Sequence, residues 1–283
     1  WANTITAHNL LTHSSGIANY TDYTDVPDEE LKKLSNTAAI ISLIKNIKLE
    51  FKPGAKYSYS NCGYILLGEI ISQITNQELN AYMELVLFKP AGMDATFFSI
   101  IGIVHDQSIS NTSHLARGYS FAVSVPQAHL TEAKYWPMQI AGAAGGIIST
   151  ATDLVKWNNA LYTGKIIPLL LVEMMSFGHI NVNIELENTQ YGYGILISGH
   201  DTMEMYAHNG TIPGFLSSLS YYPNLQLSIV SLTNVYHNYD ELVPEIKTML
   251  AKHKKWSKIE KTLQNRYPSI IENMNRYNFM QIN

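Results

Sequence analysis

The chain is short of most features that would define other kinds of protein. It has one cysteine, Cys62, in 283 residues, which excludes an internal disulfide framework and a zinc site built on cysteines. Charged residues make up only 15% and the net charge is −4, so there is no basic footprint for a nucleic acid. No apolar run reaches the roughly 18–20 residues that a membrane helix requires. There is no Gly-x-x-x-x-Gly-Lys loop for a nucleotide phosphate and no His-Glu-x-x-His pair for zinc hydrolysis. There is no Gly-x-Ser-x-Gly elbow either, which closes the α/β-hydrolase route. Internal repeats and low-complexity tracts are also missing. What remains is a hydrophobic fraction of 46%, enough for a folded core at this length.

Hydrophobic spacing divides the chain. Residues 1–175 read as a mostly helical region with long loops. Asp28-Glu29-Glu30 opens a short helix, its acids near the positive end of the helix dipole. Apolar spacing predicts further helices over 37–46, 64–74, 79–88 and 152–161. The second of these carries a stripe of Leu66, Leu67, Ile70, Ile71 and Ile74; the third is expected to stop at Lys89-Pro90. Residues 101–140 give no regular pattern. From 185 to 253 the pattern becomes a run of short strands, over 191–197, 204–207, 215–222 and 226–233, and then a closing helix over 240–253. Gly, Pro and Asn turns separate the strands and imply an antiparallel meander. Leu227, Ile229, Val230 and Leu232 place apolar groups on both faces of the last strand, as in a central strand covered on each side. Left uncovered, it would be an aggregation-prone edge. The tail, 254–283, follows a lysine cluster (Lys252, Lys254, Lys255, Lys258, Lys261) that reads as a solvated face rather than a membrane contact.

Several short blocks carry chemistry. Leu10-Leu11-Thr12-His13-Ser14-Ser15-Gly16 comes first, then Pro53-Gly54 with Tyr57-Ser58-Tyr59-Ser60-Asn61-Cys62-Gly63-Tyr64. Leu87-Phe88-Lys89-Pro90-Ala91-Gly92-Met93 and Gly145-Gly146-Ile147-Ile148-Ser149-Thr150-Ala151-Thr152-Asp153-Leu154 follow. His208-Asn209-Gly210 with Pro213-Gly214-Phe215 closes the series. No block is distinctive alone. In this order over residues 10 to 215, they resemble the serine hydrolases that include class C β-lactamases, D-Ala-D-Ala carboxypeptidases and related esterases.

The resemblance implies an α/β fold of the α+β type, an antiparallel sheet flanked by helices plus a mostly helical subdomain, with the site in the cleft between. It implies hydrolysis of an amide or ester in a small-molecule or peptide substrate through an acyl-serine, without metal or cofactor. It also implies export, periplasmic or otherwise. By the same resemblance Tyr59 is the proton relay, and Asn61 binds the substrate's amide oxygen and helps to hold the lysine. His208 steers the Tyr59 hydroxyl or a substrate carboxylate. Gly210 admits the substrate to the backbone, and the N–H of Thr211 is one oxyanion donor. Asn209 stands where the family often has Thr or Ser to bind a carboxylate, which shifts the expected preference toward esters or simple amides. His13 is read as a loop-holding residue.

The family's third element, a Ser-x-x-Lys bearing the nucleophile, lies several tens of residues ahead of the tyrosine. This chain opens at Trp1, inside that interval, so the nucleophile and the segment completing the sheet are expected upstream of Trp1. Ser42-Leu43-Ile44-Lys45 has the right letters but sits on an apolar helix before Pro53-Gly54, and is read as coincidence; Thr131-Glu132-Ala133-Lys134 is weaker still. The rival reading is a catalytically inactive member acting as a binding or scaffold protein. On local grounds alone, Tyr59 and Asn61 could instead be helix caps.

Overall fold

A computed structural model describes residues 3–22, 37–46, 48–99, 115–122, 129–133, 138–182, 189–199 and 204–236, all within one unit, Trp1–Tyr236. The helix expected at 28–30, the closing helix at 240–253 and the 254–283 tail lie outside the described residues.

Helix α1 (Ala7–Leu11) opens with a capping box, in which Thr6 accepts from the Asn9 N–H and the Asn9 side chain accepts from the Thr6 N–H. Helix α2 (Thr37–Lys45) buries Ile40 and Ile44. Helix α3 (Asn61–Thr75) ends on Asn76 in the left-handed region. It begins three residues before the expected start at 64, because its first turn is held by tertiary contacts that a hydrophobic pattern does not register. Its buried face is also not the expected one. Cys62, Ile65 and Gly68 face inward, with Leu66 and Leu67 half-buried beside them, while Ile74 is 80% exposed. Small residues decide this. A Cβ on Gly63 would lie 3.1 Å from the Leu10 carbonyl oxygen, and one on Gly68 would collide with Ala143. The two glycines therefore set the close approach of α3 to its neighbours. Leu10, Ile17, Tyr20, Ile40, Ile44, Cys62, Ile65 and Ile140 form the core of this region.

Helix α4 (Leu79–Met83) does not stop at Lys89-Pro90. It widens into a π turn over Glu84–Phe88 and resumes as Lys89–Ala91, ending at Gly92 with φ +75°. Pro90 has no N–H to give and crowds the preceding turn of a regular α-helix; the wider turn ahead of it accommodates both. Helix α5 (Met138–Gly145) starts at the end of the stretch that gave no pattern, and bends at Gly142. Helix α6 (Ala151–Tyr162) starts on Thr150, whose hydroxyl accepts from the Asp153 N–H. A seven-residue helix, α7 (Leu169–Met175), precedes the sheet.

Buried Asp153 joins two of the sequence blocks. Its carboxylate accepts from the Ala95 N–H (2.8 Å), the Thr96 hydroxyl (3.0 Å) and Lys156 Nζ (2.8 Å), and Lys156 also donates to the Gly92 carbonyl. Asp153→Ala removes the acceptor shared by the Ala95 N–H, the buried Thr96 hydroxyl and Lys156, so a loss of about 1–3 kcal/mol in a urea titration is expected; a loss under about 0.5 kcal/mol, the surface level, would mean that this clamp does not hold the region.

Small ladders outside the main sheet join β1 (Phe97–Phe98) to β4 (Ile147–Ile148), and β2 (Tyr119–Ala122) to both β3 (His129–Glu132) and β11 (Val235–Tyr236). The main sheet contains β5 (Ile180–Asn181), β6 (Gln190–Tyr191), β7 (Leu196–Ser198), β8 (Met205–Ile212), β9 (Phe215–Tyr222) and β10 (Leu227–Thr233). Its order, β10-β9-β8-β7-β6-β5, makes it an antiparallel meander throughout. The stretch 191–197 is two strands and not one, since the chain turns back at Gly192 to Gly194, with the Gly192 N–H donating to the Ile195 carbonyl at 2.8 Å. The strand begun at 204 runs on through His208, Asn209 and Gly210.

Helix α6 packs on the sheet, where Asn158 Nδ2 donates to the Ser220 carbonyl and Ser228 hydroxyl, both at 3.3 Å. Strand β10 is an edge and not a central strand among the described residues. None of its residues is buried, and Leu232 is 41% exposed.

Candidate active site

The start of α3 and the middle of β8, far apart in the chain, meet at a group of aromatic rings. Tyr59 and Ser60 lead into α3, and Ser60 occupies the N-cap position with its hydroxyl making no capping bond. The capping alternatives for Tyr59 and Asn61 therefore fail. Asn61 is the first helical residue, and its orphan N–H donates to Asn19 Oδ1 (3.0 Å), a cap supplied from 42 residues away. Asn61 Nδ2 donates to the Thr21 hydroxyl at 3.2 Å, which turns Oδ1 toward the Tyr59 hydroxyl, its donor at 3.3 Å. Tyr59 is 39% exposed. Its ring centroid lies 6.2 Å from that of His208, so Tyr59, Asn61 and His208 come together.

The other expected residues sit on β8. Alternation puts His208 and Gly210 on one face and the exposed Asn209 and Thr211 on the other. A Cβ on Gly210 would stand 2.4 Å from the Ser217 hydroxyl, its cross-strand partner. The glycine therefore makes room first for Ser217. Ile212 and Phe215 close the two-residue turn at Pro213-Gly214, with Gly214 at φ +83°. Such a turn makes the closing residues a hydrogen-bonded pair, and alternation then directs the N–H groups of Asn209 and Thr211 away from β9. Strand β7 pairs only with Met205, Tyr206 and Ala207. Among the described residues, the Thr211 N–H thus faces an edge that no strand occupies, as an oxyanion donor must.

His13 is more central than a loop anchor. It is buried, in the left-handed region at φ +53°, a conformation that histidine tolerates better than most residues and that tends to mark functional positions. The rings of Tyr57, Tyr59, Tyr64 and Tyr191 surround it at centroid distances of 4.2 to 5.9 Å. Its Nδ1 lies 3.1 Å from the Ser60 amide nitrogen and its Nε2 3.1 Å from the Tyr191 hydroxyl. The same hydroxyl lies 3.0 Å from His208 Nε2, and His208 Nδ1 lies 2.7 Å from the Asn209 carbonyl oxygen. Tyr191, Asn19 and Thr21 were not legible as site residues. The repeat Tyr191-Gly192-Tyr193-Gly194 hints at a tight aromatic turn, but nothing local connects Tyr191 to a histidine 178 positions earlier.

Electrostatics here favour neutral groups. Burial, reinforced by nearby His208, pulls the His13 pKa down to about 3. Burial also lowers that of His208 and raises that of Tyr59. No charge on the described residues draws Tyr59 toward the phenolate.

His13 gives an acid dependence of known sign. Unfolded, it takes a proton near pH 6.5; folded, only near 3. Its contribution is therefore complete above pH 6.5 and is lost as pH falls toward 3, at up to about 1.4 kcal/mol per pH unit. Asp153, whose pKa is lowered below 3.8 by Lys156 and by the Ala95 and Thr96 donors despite its burial, loses its share only in a more acidic window. Urea midpoints measured from pH 7 to pH 4 should fall, and His13→Gln should flatten the part above pH 4.5. An unchanged slope in that variant would contradict the assignment.

Helices that pack on and beside an antiparallel meander, with Tyr-x-Asn opening a helix and His-x-Gly on a strand facing it, make up a β-lactamase/DD-peptidase-like architecture. The Beta-lactamase family model matches residues 1–251, and the chain belongs to that family. It is 27% identical over 262 residues to Protein flp of Staphylococcus aureus (strain MRSA252), covering 92% of this chain and 49% of that protein. It is 27% identical over 241 residues to Penicillin-binding protein 4* of Bacillus subtilis (strain 168), covering 81% of this chain and 51% of that one. The chain thus spans about half the length of the curated relatives it matches.

Among solved structures, D-amino acid amidase from Ochrobactrum anthropi SV3 superposes with a TM-score of 0.69 at 26% identity, over 83% of this chain and 65% of that one. The penicillin binding protein from Bacillus halodurans, at 23% identity, shares the fold with a TM-score of 0.71 over 88% of this chain and 76% of that one.

In α2, Ser42 and Lys45 are exposed, and Ser42 lies on the side away from buried Ile40 and Ile44. The Ser-x-x-Lys letters there do not enter the site. Thr131 is likewise exposed, in β3, and its hydroxyl donates to the Ser120 carbonyl.

Proposed function

We propose that the protein is an acyl-serine hydrolase of amides or esters, with Tyr59 as proton relay and its Ser-x-x-Lys nucleophile upstream of Trp1. The carrying observation is the convergence of Tyr59, Asn61 and His208 from opposite ends of the chain. In this reading the serine hydroxyl adds to the carbonyl carbon and its proton passes to the Tyr59 phenolate. The tetrahedral oxyanion takes the Thr211 N–H as one donor, and Asn61 holds the substrate's amide oxygen. Collapse expels the amine or alcohol, which takes the proton from Tyr59. Water then releases the acid and regenerates the serine.

The electrostatics support the upstream assignment. A free tyrosine titrates near 10, so service as a base at neutral pH needs a shift of about three units, or about 4 kcal/mol, and burial, which raises Tyr59, adds to that requirement. A cation beside it is the physical source of such a shift, and the family's lysine would supply it. The same upstream stretch would give β10 a second neighbour. The neutral His208, with Asn209 turned to the other face of β8, favours a substrate that does not depend on a carboxylate contact. An exported location goes with this reading, and no helix among the described residues is long and apolar enough to cross a membrane.

The test is covalent. The full-length protein is exposed to a fluorophosphonate and, separately, to a fluorescent penicillin, and adducts are mapped by mass spectrometry. An adduct on a serine ahead of Trp1 is expected with the fluorophosphonate; penicillin labelling as well would favour the peptidase or β-lactamase branch over the esterase. An adduct on Ser42, or none on the folded protein, would overturn the reading, and the latter would favour a binding role.

A further inference from the structure

With both imidazoles neutral, the chain of contacts from Ser60 to Asn209 has one consistent set of protons, because each end is a group with a single role. At one end the Ser60 amide N–H can only donate, so His13 Nδ1, 3.1 Å away, accepts. A neutral His13 then carries its proton on Nε2 and donates it to the Tyr191 oxygen, 3.1 Å away. At the other end the Asn209 carbonyl can only accept, so His208 Nδ1, at 2.7 Å, donates. A neutral His208 then has its lone pair on Nε2, which accepts the Tyr191 proton at 3.0 Å. Tyr191 is fully buried, and its single hydroxyl proton and its oxygen are both in use. The two ends meet at Tyr191 without conflict.

We propose that Tyr191 and His13 are positioning residues that hold His208 as a neutral imidazole protonated on Nδ1, and that tie the start of α3 to β8 across the site. This rests on the reading of Tyr59 and His208 as the catalytic pair. A second proton on His208 would have to occupy Nε2, where the Tyr191 hydroxyl already points. Tyr191 would have to turn its proton from His208 toward the Tyr64 hydroxyl, because His13 is barred from changing tautomer by the Ser60 N–H and cannot accept it. The titratable groups that ring these two histidines are Tyr57, Tyr59, Tyr64 and Tyr191, and none offers a compensating charge at neutral pH. His208 therefore meets a ligand as a neutral ring in fixed orientation. Because Ser60 sits between Tyr59 and Asn61, the same chain sets where the tyrosine stands relative to the imidazole.

The experiment reads tautomers and needs no substrate. Long-range nitrogen–proton NMR spectra of full-length protein labelled in its histidines, with the His208 signals identified by loss in His208→Gln, should show a single Nδ1–H form that stays neutral as pH is lowered through 6. In Tyr191→Phe the Nε2 lone pair loses its donor. His208 should shift toward the Nε2–H form and begin to titrate, and kcat should fall at least tenfold with KM changed less than threefold. His13→Gln, whose amide can still donate to Tyr191, should keep the wild-type His208 signals, whereas His13→Phe should not. An Nε2–H form of His208 in the unmodified protein, or Tyr191→Phe spectra unchanged in a folded variant, would overturn the proposal. Failure of the serine-hydrolase reading would show separately, as absence of a probe adduct with the tautomers as described.

Discussion

Replacing the probe-labelled serine by alanine is expected to lower turnover by about 10⁶-fold, the scale seen when an acyl-transfer nucleophile is removed. Residues 1–283 expressed alone should show the same loss, because no serine among the described residues stands beside Tyr59 as a nucleophile. Of the two serines that flank it, Ser58 and Ser60, the hydroxyl of Ser60 is buried and no hydrogen-bond partner activates it. Ser42→Ala is the matched control. Ser42 is exposed on the outer side of α2, so its removal should leave kcat/KM within about twofold, an energy under about 0.5 kcal/mol. Activity that survives loss of the labelled serine and disappears with Ser42 would reverse the assignment.

The second large effect belongs to Tyr59. Tyr59→Phe in the full-length protein should lower kcat by about 10²–10⁴-fold, the usual yield of a positioned acid–base group. KM should change little, because the lost hydroxyl moves a proton and is not the main substrate contact. The variant should fold. Tyr59 is over a third exposed, and its hydroxyl makes one long bond, 3.3 Å to Asn61, so about 1 kcal/mol of stability is at stake. Steady-state kinetics with an activated ester, beside a urea titration, separates the two outcomes. An undiminished kcat would remove Tyr59 from the mechanism; a fall in stability that matches the fall in rate would make it structural.

Much of the architecture was legible because its signals are local. Alternation and turn residues placed β9 at 215–222 to the residue. The Tyr-x-Asn and His-x-Gly triplets were expected at a helix mouth and on a strand, and stand there. Other elements were decided by packing. The inward face of α3 follows Gly63 and Gly68, whose missing side chains let neighbours approach, whereas a count of apolar residues points to Ile70, Ile71 and Ile74. The helix through Lys89-Pro90 continues because a π turn absorbs the proline, and no propensity encodes that. The apolar pattern of the final strand implies a cover on both sides, and among the described residues β10 has a neighbour on one side only; coverage of a strand depends on which segments lie beside it.

The site divides in the same way. Sequence by itself determined the family and marked Tyr59, Asn61 and His208 as candidates by the spacing of their triplets, since short blocks in a fixed order are linear information. Only the tertiary structure made Asn19 the cap of α3 and joined His13 to His208 through Tyr191. Those partners are 42, 178 and 17 positions apart, beyond any local periodicity. Burial then settled their charge states, because neutral imidazoles follow from the desolvation that packing imposes and not from the residue types.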